Sequence, residues 1–237
     1  MPVSESLPAD LLLVAHGTES HVGTRTTHRL RDAVAAARPD VDVRLCFLDI
    51  GTPTLPEALA TTDGAADGES TPVVVVPLLL STGFHVQTDI PAAVAGRGHV
   101  RIARHLGPHD LLTDVLLDRL GPAASDGEVV LVAAGSRRTE ASAEVAEAAA
   151  LLAARTGAPV RVSTVSDPLA QLFAERAAAT GRPVPVATYL LTEGRFANTV
   201  AAAAGDNARV APPLAVHPAL VSLVWLRYDA SAGSPHG

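Results

Sequence analysis

Two histidines in this chain stand where a buried strand would deliver a reactive side chain. Leu11-Leu12-Leu13-Val14-Ala15 is an apolar run that ends in His16-Gly17-Thr18. Val73-Val74-Val75-Val76-Pro77-Leu78-Leu79-Leu80 leads through Ser81-Thr82-Gly83-Phe84 to His85. Both runs are short, and the second opens on four β-branched residues, so they read as strands buried on both faces of a parallel sheet. The carboxyl ends of such strands are where open α/β sheets bind ligands. A neutral imidazole is the commonest protein ligand for Zn, Fe, Co and Ni, and it also takes and gives protons near neutral pH. Two imidazoles, with or without a carboxylate, form an open site that can hold a metal ion and release it. A closed structural zinc site needs four ligands, usually with thiolates. The single cysteine, Cys46, lies inside the strand pattern Val43–Leu48 and reads as a small core residue. A disulfide framework and a thiolate metal site are therefore excluded.

The neighbours of the two histidines suggest what else the site holds. Ser81, Thr82, Gln87 and Thr88 flank His85 and can hydrogen-bond a ligand carboxylate or orient the imidazole. Asp49 ends the second strand at the same edge, as a third ligand, a proton acceptor or a loop hydrogen-bonding group. Arg137, Arg138 and Arg195 fall at the matching edge of the later part of the chain. A guanidinium suits a carboxylate, so they can clamp an anionic ligand, with plain solvation as the alternative. His21 and His28 read as surface residues and His105 as a cleft residue, and His109 and His217 recur at equivalent places, as a shared helix cap would.

These side chains need a frame. Strands are expected over 11–15, 41–49, 73–80 and 99–106, and helices over 24–37, 54–61, from 89, and over 111–120. The stretch 63–71 reads as a surface loop and 121–128 as a linker. Then the pattern restarts. Val129-Val130-Leu131-Val132-Ala133-Ala134-Gly135-Ser136 matches residues 11–18 almost position for position, and Pro185–Thr199 matches the stretch around His85. The chain is an internal duplication with a repeat of roughly 110 to 118 residues. Strands alternating with helices make each copy a parallel-sheet α/β domain. The expected domains are 10–121 and 128–229, facing each other across a cleft between their strand ends. Within the duplication His16 aligns with Ala134 and His85 with Phe196, whereas Gly17 matches Gly135, Gly83 matches Gly194 and Thr88 matches Thr199. The shared residues serve the backbone. The scaffold does without the histidines, so their place is functional and the first half is the working one.

Bulk properties narrow the partners. The 237 residues are 48% hydrophobic with a formal charge of −7, and no polybasic run argues for nucleic acid or an anionic membrane surface. An anionic ligand must be held by local arginines or backbone donors. No apolar run reaches the roughly 18 residues of a membrane span, and Met1–Asp10 lacks the pattern of a secretory signal. A soluble, cytoplasmic protein is expected, with residues 1–9 and 230–237 as disordered ends.

With these residues in place, the chain resembles the sirohydrochlorin chelatases, the CbiX/SirB-like class II chelatases. The likeness rests on Ala15-His16-Gly17-Thr18 after an apolar strand and on Pro77-Leu78-Leu79-Leu80-Ser81-Thr82-Gly83-Phe84-His85-Val86-Gln87-Thr88-Asp89-Ile90-Pro91. It spans about residues 10–229 of the chain. The resemblance implies two chelatase-like α/β halves around a tetrapyrrole, and insertion of Fe²⁺ or Co²⁺ into sirohydrochlorin without ATP, toward siroheme or cobalamin. The ion would be a divalent substrate, with Ni²⁺ also compatible with such ligands, and no organic cofactor is implied. His16 and His85 would bind the metal and carry the chemistry, and Ser81, Thr82, Gln87, Arg137 and Arg195 would bind the tetrapyrrole. The sequence departs from the family after His16, where the loop reads Thr18-Glu19-Ser20-His21 in place of the usual Ser-Arg pair that the second half keeps at Ser136-Arg137, which leaves His21 open as a further site residue. A duplicated chain supplies both halves by itself, so a monomer is expected. A metal or tetrapyrrole carrier without turnover is the alternative reading; a histidine phosphotransfer enzyme is disfavoured by Ala15 in place of arginine, and a periplasmic-type binding protein by the missing signal.

Overall fold

The computed structural model describes residues 9–63, 70–125 and 127–232. Eight strands form two four-stranded sheets in which every neighbouring pair is parallel. The first comprises β1 (Asp10–Gly17), β2 (Val43–Ile50), β3 (Val73–Pro77) and β4 (Val100–Ile102), in the order β2-β1-β3-β4. The second comprises β5 (Val129–Ala133), β6 (Val160–Thr164), β7 (Val184–Tyr189) and β8 (Ala208–Val210), in the equivalent order β6-β5-β7-β8. The helices are α1 (His21–Ala37), α2 (Leu55–Ala60), α3 (Ile90–Val94), α4 (Asp110–Leu120), α5 (Thr139–Thr156), α6 (Leu169–Thr180), α7 (Arg195–Ala204) and α8 (Pro218–Ala232). The duplication is thus carried into topology.

Alternation along the central strands sorts their side chains onto two faces. Leu12 and Val14 of β1 pack outward with Cys46, Leu55, Leu59 and Ile90, under α2 and α3. Val130 and Val132 of β5 pack outward with Leu169, Phe173 and Val200, under α6 and α7. The inward faces, Leu11, Leu13 and Ala15 on one side and Val129, Leu131 and Ala133 on the other, join a single core that runs through both halves. The reason is an exchange of helices. The last helix of the first half, α4, packs on β7 and α5, while the last helix of the second half, α8, packs on β3, β4 and α1. Trp225 donates to the Val34 carbonyl at 3.2 Å and buried Arg227 donates to the Leu106 carbonyl at 2.9 Å. In return Arg119 of α4 donates to the Val216 carbonyl at 3.2 Å. Each half closes the other.

Several expected bounds shift. The third strand ends at Pro77 and the fourth covers only Val100–Ile102, because Leu78–Gly83 and the chain after Ala103 leave the sheet edge to build loops. α1 begins at His21 rather than near Thr24, since the Ser20 side chain caps it by accepting from Gly23 N. Residues 121–125 of the expected linker form a 3-10 turn, and α8 runs on to Ala232, past the expected start of the tail. The expected lead-in up to residue 8, positions 64–69 of the expected loop, and the last five residues lie outside the described residues.

Candidate functional site

His16 stands at the carboxyl end of β1, where the pairing of β1 with β2 shifts register between Ala15 and Gly17. Such irregularities re-aim a side chain at the end of a strand. Gly17 takes φ +95°, and any Cβ there would run into the Ile50 backbone of β2, so the turn behind His16 requires glycine.

His85 is not at a strand end. It lies eight residues beyond β3, in a π-helical turn, His85–Asp89, that flows into α3 and is closed by Ile90 N donating to the His85 carbonyl. The equivalent stretch of the second half, α7, is a regular α-helix. The wide turn is therefore peculiar to the half that has the histidine, and π turns gather at functional sites. The two imidazole rings meet edge to face, with centroids 4.7 Å apart at 88°. His85 Nδ1 lies 2.6 Å from Asp89 Oδ2. In a neutral ring, that bond places the proton on Nδ1 and leaves the Nε2 lone pair free to bind. Among the described residues, no group of three or more metal-binding side chains assembles.

His16 lines a cleft of about 600 Å³ between the carboxyl edges of the two sheets, and His85 stands behind it, joined to it through the ring contact. The cleft walls come from both halves and include Leu78, Leu80, Tyr189 and Leu190, which are apolar. Phe196 lines the wall and stays 43% exposed, and a large exposed aromatic on a cleft wall suits a flat apolar ligand.

Of the residues singled out from sequence, Ser81 and Arg195 line this cleft, and the Arg195 guanidinium sits 5.8 Å from the centre of the Phe196 ring. Arg137 is exposed on the loop after β5, next to the lining residue Ser136. Thr82 is buried, and Gln87 Nε2 donates to its Oγ1 at 3.3 Å. These two are already engaged with each other. Asp49 and His21 are exposed, at the end of β2 and the start of α1. His105 is buried at 7% exposure and both its Glu144 contacts are 3.1 Å. Burial lowers its pKa, partly offset by the Glu144 charge. His109 and His217 do share a capping role, each accepting the N–H two residues ahead at 3.1 Å.

Three carboxylates in or beside this region escaped the sequence reading. Asp89 was legible as a carboxylate four residues after His85 on a helix, the spacing at which side chains meet. Glu144 offered no local signal, since its partners lie in the other half. Glu193 lines the cleft, and its Oε2 is buried without a hydrogen-bond partner among the described residues. A buried carboxylate oxygen left in that state asks for a donor or a proton.

Comparison with known proteins bears on the family and the fold. The CbiX family model matches the chain twice, over residues 10–123 and 128–231. The sirohydrochlorin cobaltochelatase of Methanosarcina acetivorans is 29% identical over 123 residues, 46% of this chain and 92% of that protein. The sirohydrochlorin ferrochelatase of Priestia megaterium is 26% identical over 167 residues, 65% of this chain and 60% of that one. Among solved structures, SirB from Bacillus subtilis with Fe³⁺ superposes with a TM-score of 0.78 at 22% identity, over 94% of this chain and 95% of that one. The cobalt complex of SirB from Bacillus subtilis subspecies spizizenii superposes at 0.77 and 21% identity, over 95% and 96%. These structural likenesses establish the shared fold. Matched by one family model over each of its two repeats, the chain belongs to the CbiX family.

Proposed function

We infer that the protein inserts a divalent metal ion, Fe²⁺ or Co²⁺, into sirohydrochlorin. The observation that carries this is the His16–His85 pair, 4.7 Å between ring centres, whose His16 lines an apolar cleft shared by two sheets. Two imidazoles hold the incoming ion as it sheds water, yet leave most of its coordination open. The apolar walls hold the flat macrocycle. Arg195 and Arg137 are placed to meet its carboxylates, which the acidic surface as a whole would not attract. Insertion forms bonds from the metal to four ring nitrogens and expels two pyrrole N–H protons. As the ion moves off, the freed imidazole lone pairs accept them, and the bare Glu193 oxygen is a third acceptor. Thr82 and Gln87 serve the site through the loop that carries His85. One chain contains both halves, with the terminal helices exchanged internally, so the working unit is a monomer. No described helix is long and apolar enough to cross a membrane.

The test is an insertion assay with Fe²⁺, Co²⁺ and Ni²⁺ on sirohydrochlorin, read by the change in the tetrapyrrole spectrum. The wild-type protein accelerates metallation over the protein-free control, and His16→Ala and His85→Ala each abolish it with circular dichroism unchanged. Wild-type rates in both variants would sink the assignment, and binding without acceleration would favour a carrier.

A further inference from the structure

The half without the histidines reaches into the turn that carries one of them. Gln87, two residues after His85, accepts from Arg138 Nη1 at 2.5 Å. Its own Nε2 donates to Thr82 Oγ1 at 3.3 Å. The Thr82 N–H donates to Glu144 Oε2 at 2.5 Å, and both Glu144 oxygens lie 3.1 Å from His105 Nε2. Arg138 and Glu144 belong to α5 and its cap in the second half, while Thr82, Gln87 and His105 belong to the first. The segment from Thr82 to Asp89 is thus gripped from across the cleft at two points. Neither grip touches His85 itself.

The position of Arg138 breaks a local rule. It is the N-cap residue of α5, yet its side chain caps nothing. Serine, threonine, aspartate and asparagine are the residues that cap, and a cation at that end opposes the helix dipole. The equivalent residue of the first half, Ser20, does cap its helix. What Arg138 gains instead is the bond to Gln87. Local rules broken in this way mark functional positions. Glu144 is placed as selectively. It is only 20% exposed and bonds a backbone N–H and a buried histidine, all across the halves. The segment it steadies contains Gly83, around which a Cβ would meet nothing within 4 Å, so packing does not hold the loop at that residue.

We propose that Arg138 and Glu144 are positioning residues through which the half lacking histidines holds the His85 turn at metal-binding distance from His16. The proposal rests on the metal-insertion reading and names the part the second half plays in it.

The experiment titrates the apoprotein with Co²⁺ alone, following visible ligand-field absorption, and then measures insertion kinetics with sirohydrochlorin. Arg138→Ala, Glu144→Ala, the milder Arg138→Lys and Glu144→Gln, and His85→Ala as a reference are compared with wild type. The expected result is a loss of Co²⁺ affinity of about tenfold in each alanine variant. An altered ligand-field spectrum accompanies it, with lower kcat, a KM for sirohydrochlorin within about twofold of wild type, and partial recovery in Arg138→Lys. Should Glu144→Ala fail to fold, Glu144→Gln keeps an acceptor for the Thr82 N–H and Arg138→Ala carries the test. Wild-type Co²⁺ affinity and spectrum in Arg138→Ala and in the Glu144 variants, with His85→Ala weakened, overturns the positioning role and leaves the metal site standing. Wild-type Co²⁺ binding in His85→Ala overturns both readings. Weakened Co²⁺ binding in Arg138→Ala alongside a wild-type protein that inserts no metal supports the positioning role and overturns the activity alone.

Discussion

At the scale of single residues, Asp89 and Glu193 stand in contrasting surroundings, and the proposed function gives them different tasks. Asp89 holds His85 Nδ1 at 2.6 Å and so fixes which nitrogen faces outward. Carboxylates behind a metal-binding imidazole are typically worth 10–100-fold in affinity or activity, so Asp89→Ala should weaken Co²⁺ binding on that order. Asp89→Asn, which still accepts from Nδ1–H, should lose less, and titration of both variants checks the ranking. Glu193 has no such tie. Glu193→Gln should leave Co²⁺ affinity unchanged and lower kcat for insertion, because it removes a proton acceptor and no metal contact; equal losses in both measurements would refute the assignment. The histidines themselves were legible, through apolar runs and through their replacement by Ala134 and Phe196 in the second copy. The buried oxygen of Glu193 was not, because burial of one atom depends on loops from both halves.

At the scale of elements, the strands followed from apolar runs and repetition, but their order within each sheet and the π turn did not. Nothing in His85-Val86-Gln87-Thr88-Asp89 distinguishes a five-residue turn from the regular helix that its counterpart forms in α7. The contrast is set by packing. The loop after β4 shows the same dependence. Gly107 lies against the Tyr189 hydroxyl and the Leu80 carbonyl, between which a bond of 3.1 Å already runs from one half to the other. Gly107→Ala would wedge this contact apart, at about 1–3 kcal/mol for overpacking, visible as a lower urea midpoint. His105, in the same region, adds a dependence on pH. Its pKa is lowered below the usual 6.5 mainly by burial. The unfolded chain therefore binds a proton at His105 that the folded one resists. The stability it contributes is present above about 6.5 and is lost as pH falls toward the lower folded value. Melting temperature should drop between pH 7 and pH 5, and His105→Gln should flatten that part of the profile.

At the scale of the whole molecule, the exchange of α4 and α8 changes what a half is. The sequence reads as two successive copies, and a reader of the sequence would cut between them, because each copy has its own strands, its own helices and its own outer core. Nothing in α4 or α8 announces the swap: an amphipathic helix that covers a neighbouring sheet has the same pattern as one that covers its own. Yet the inner faces of both sheets share one core, in which Leu112, Val115 and Leu116 of α4 stand beside Ala187 and Tyr189 of β7, and Leu220, Leu223, Val224 and Trp225 of α8 serve the first sheet. The arrangement also fixes the cleft, since it binds the two carboxyl edges into one body and keeps Arg138 and Glu144 opposite the His85 turn. Two measurements follow from it. The full chain should unfold in a single cooperative transition, with Trp225 fluorescence and far-ultraviolet dichroism changing together; separate transitions for the two halves would show the shared core to be dispensable. Residues 1–125 expressed alone lack α8, so the inner face of β3 and β4 is bare while the apolar face of α4 has no second sheet to cover. Such a fragment should not remain a folded monomer. It should either stay unfolded or pair with a second copy, each α4 covering the other's sheet as an exchanged element, and addition of residues 126–237 should capture it into a one-to-one complex that regains Co²⁺ binding. A stable, monomeric, Co²⁺-binding fragment in sedimentation would mean that the first half closes on itself, and the helix exchange would then have no part in holding the metal site.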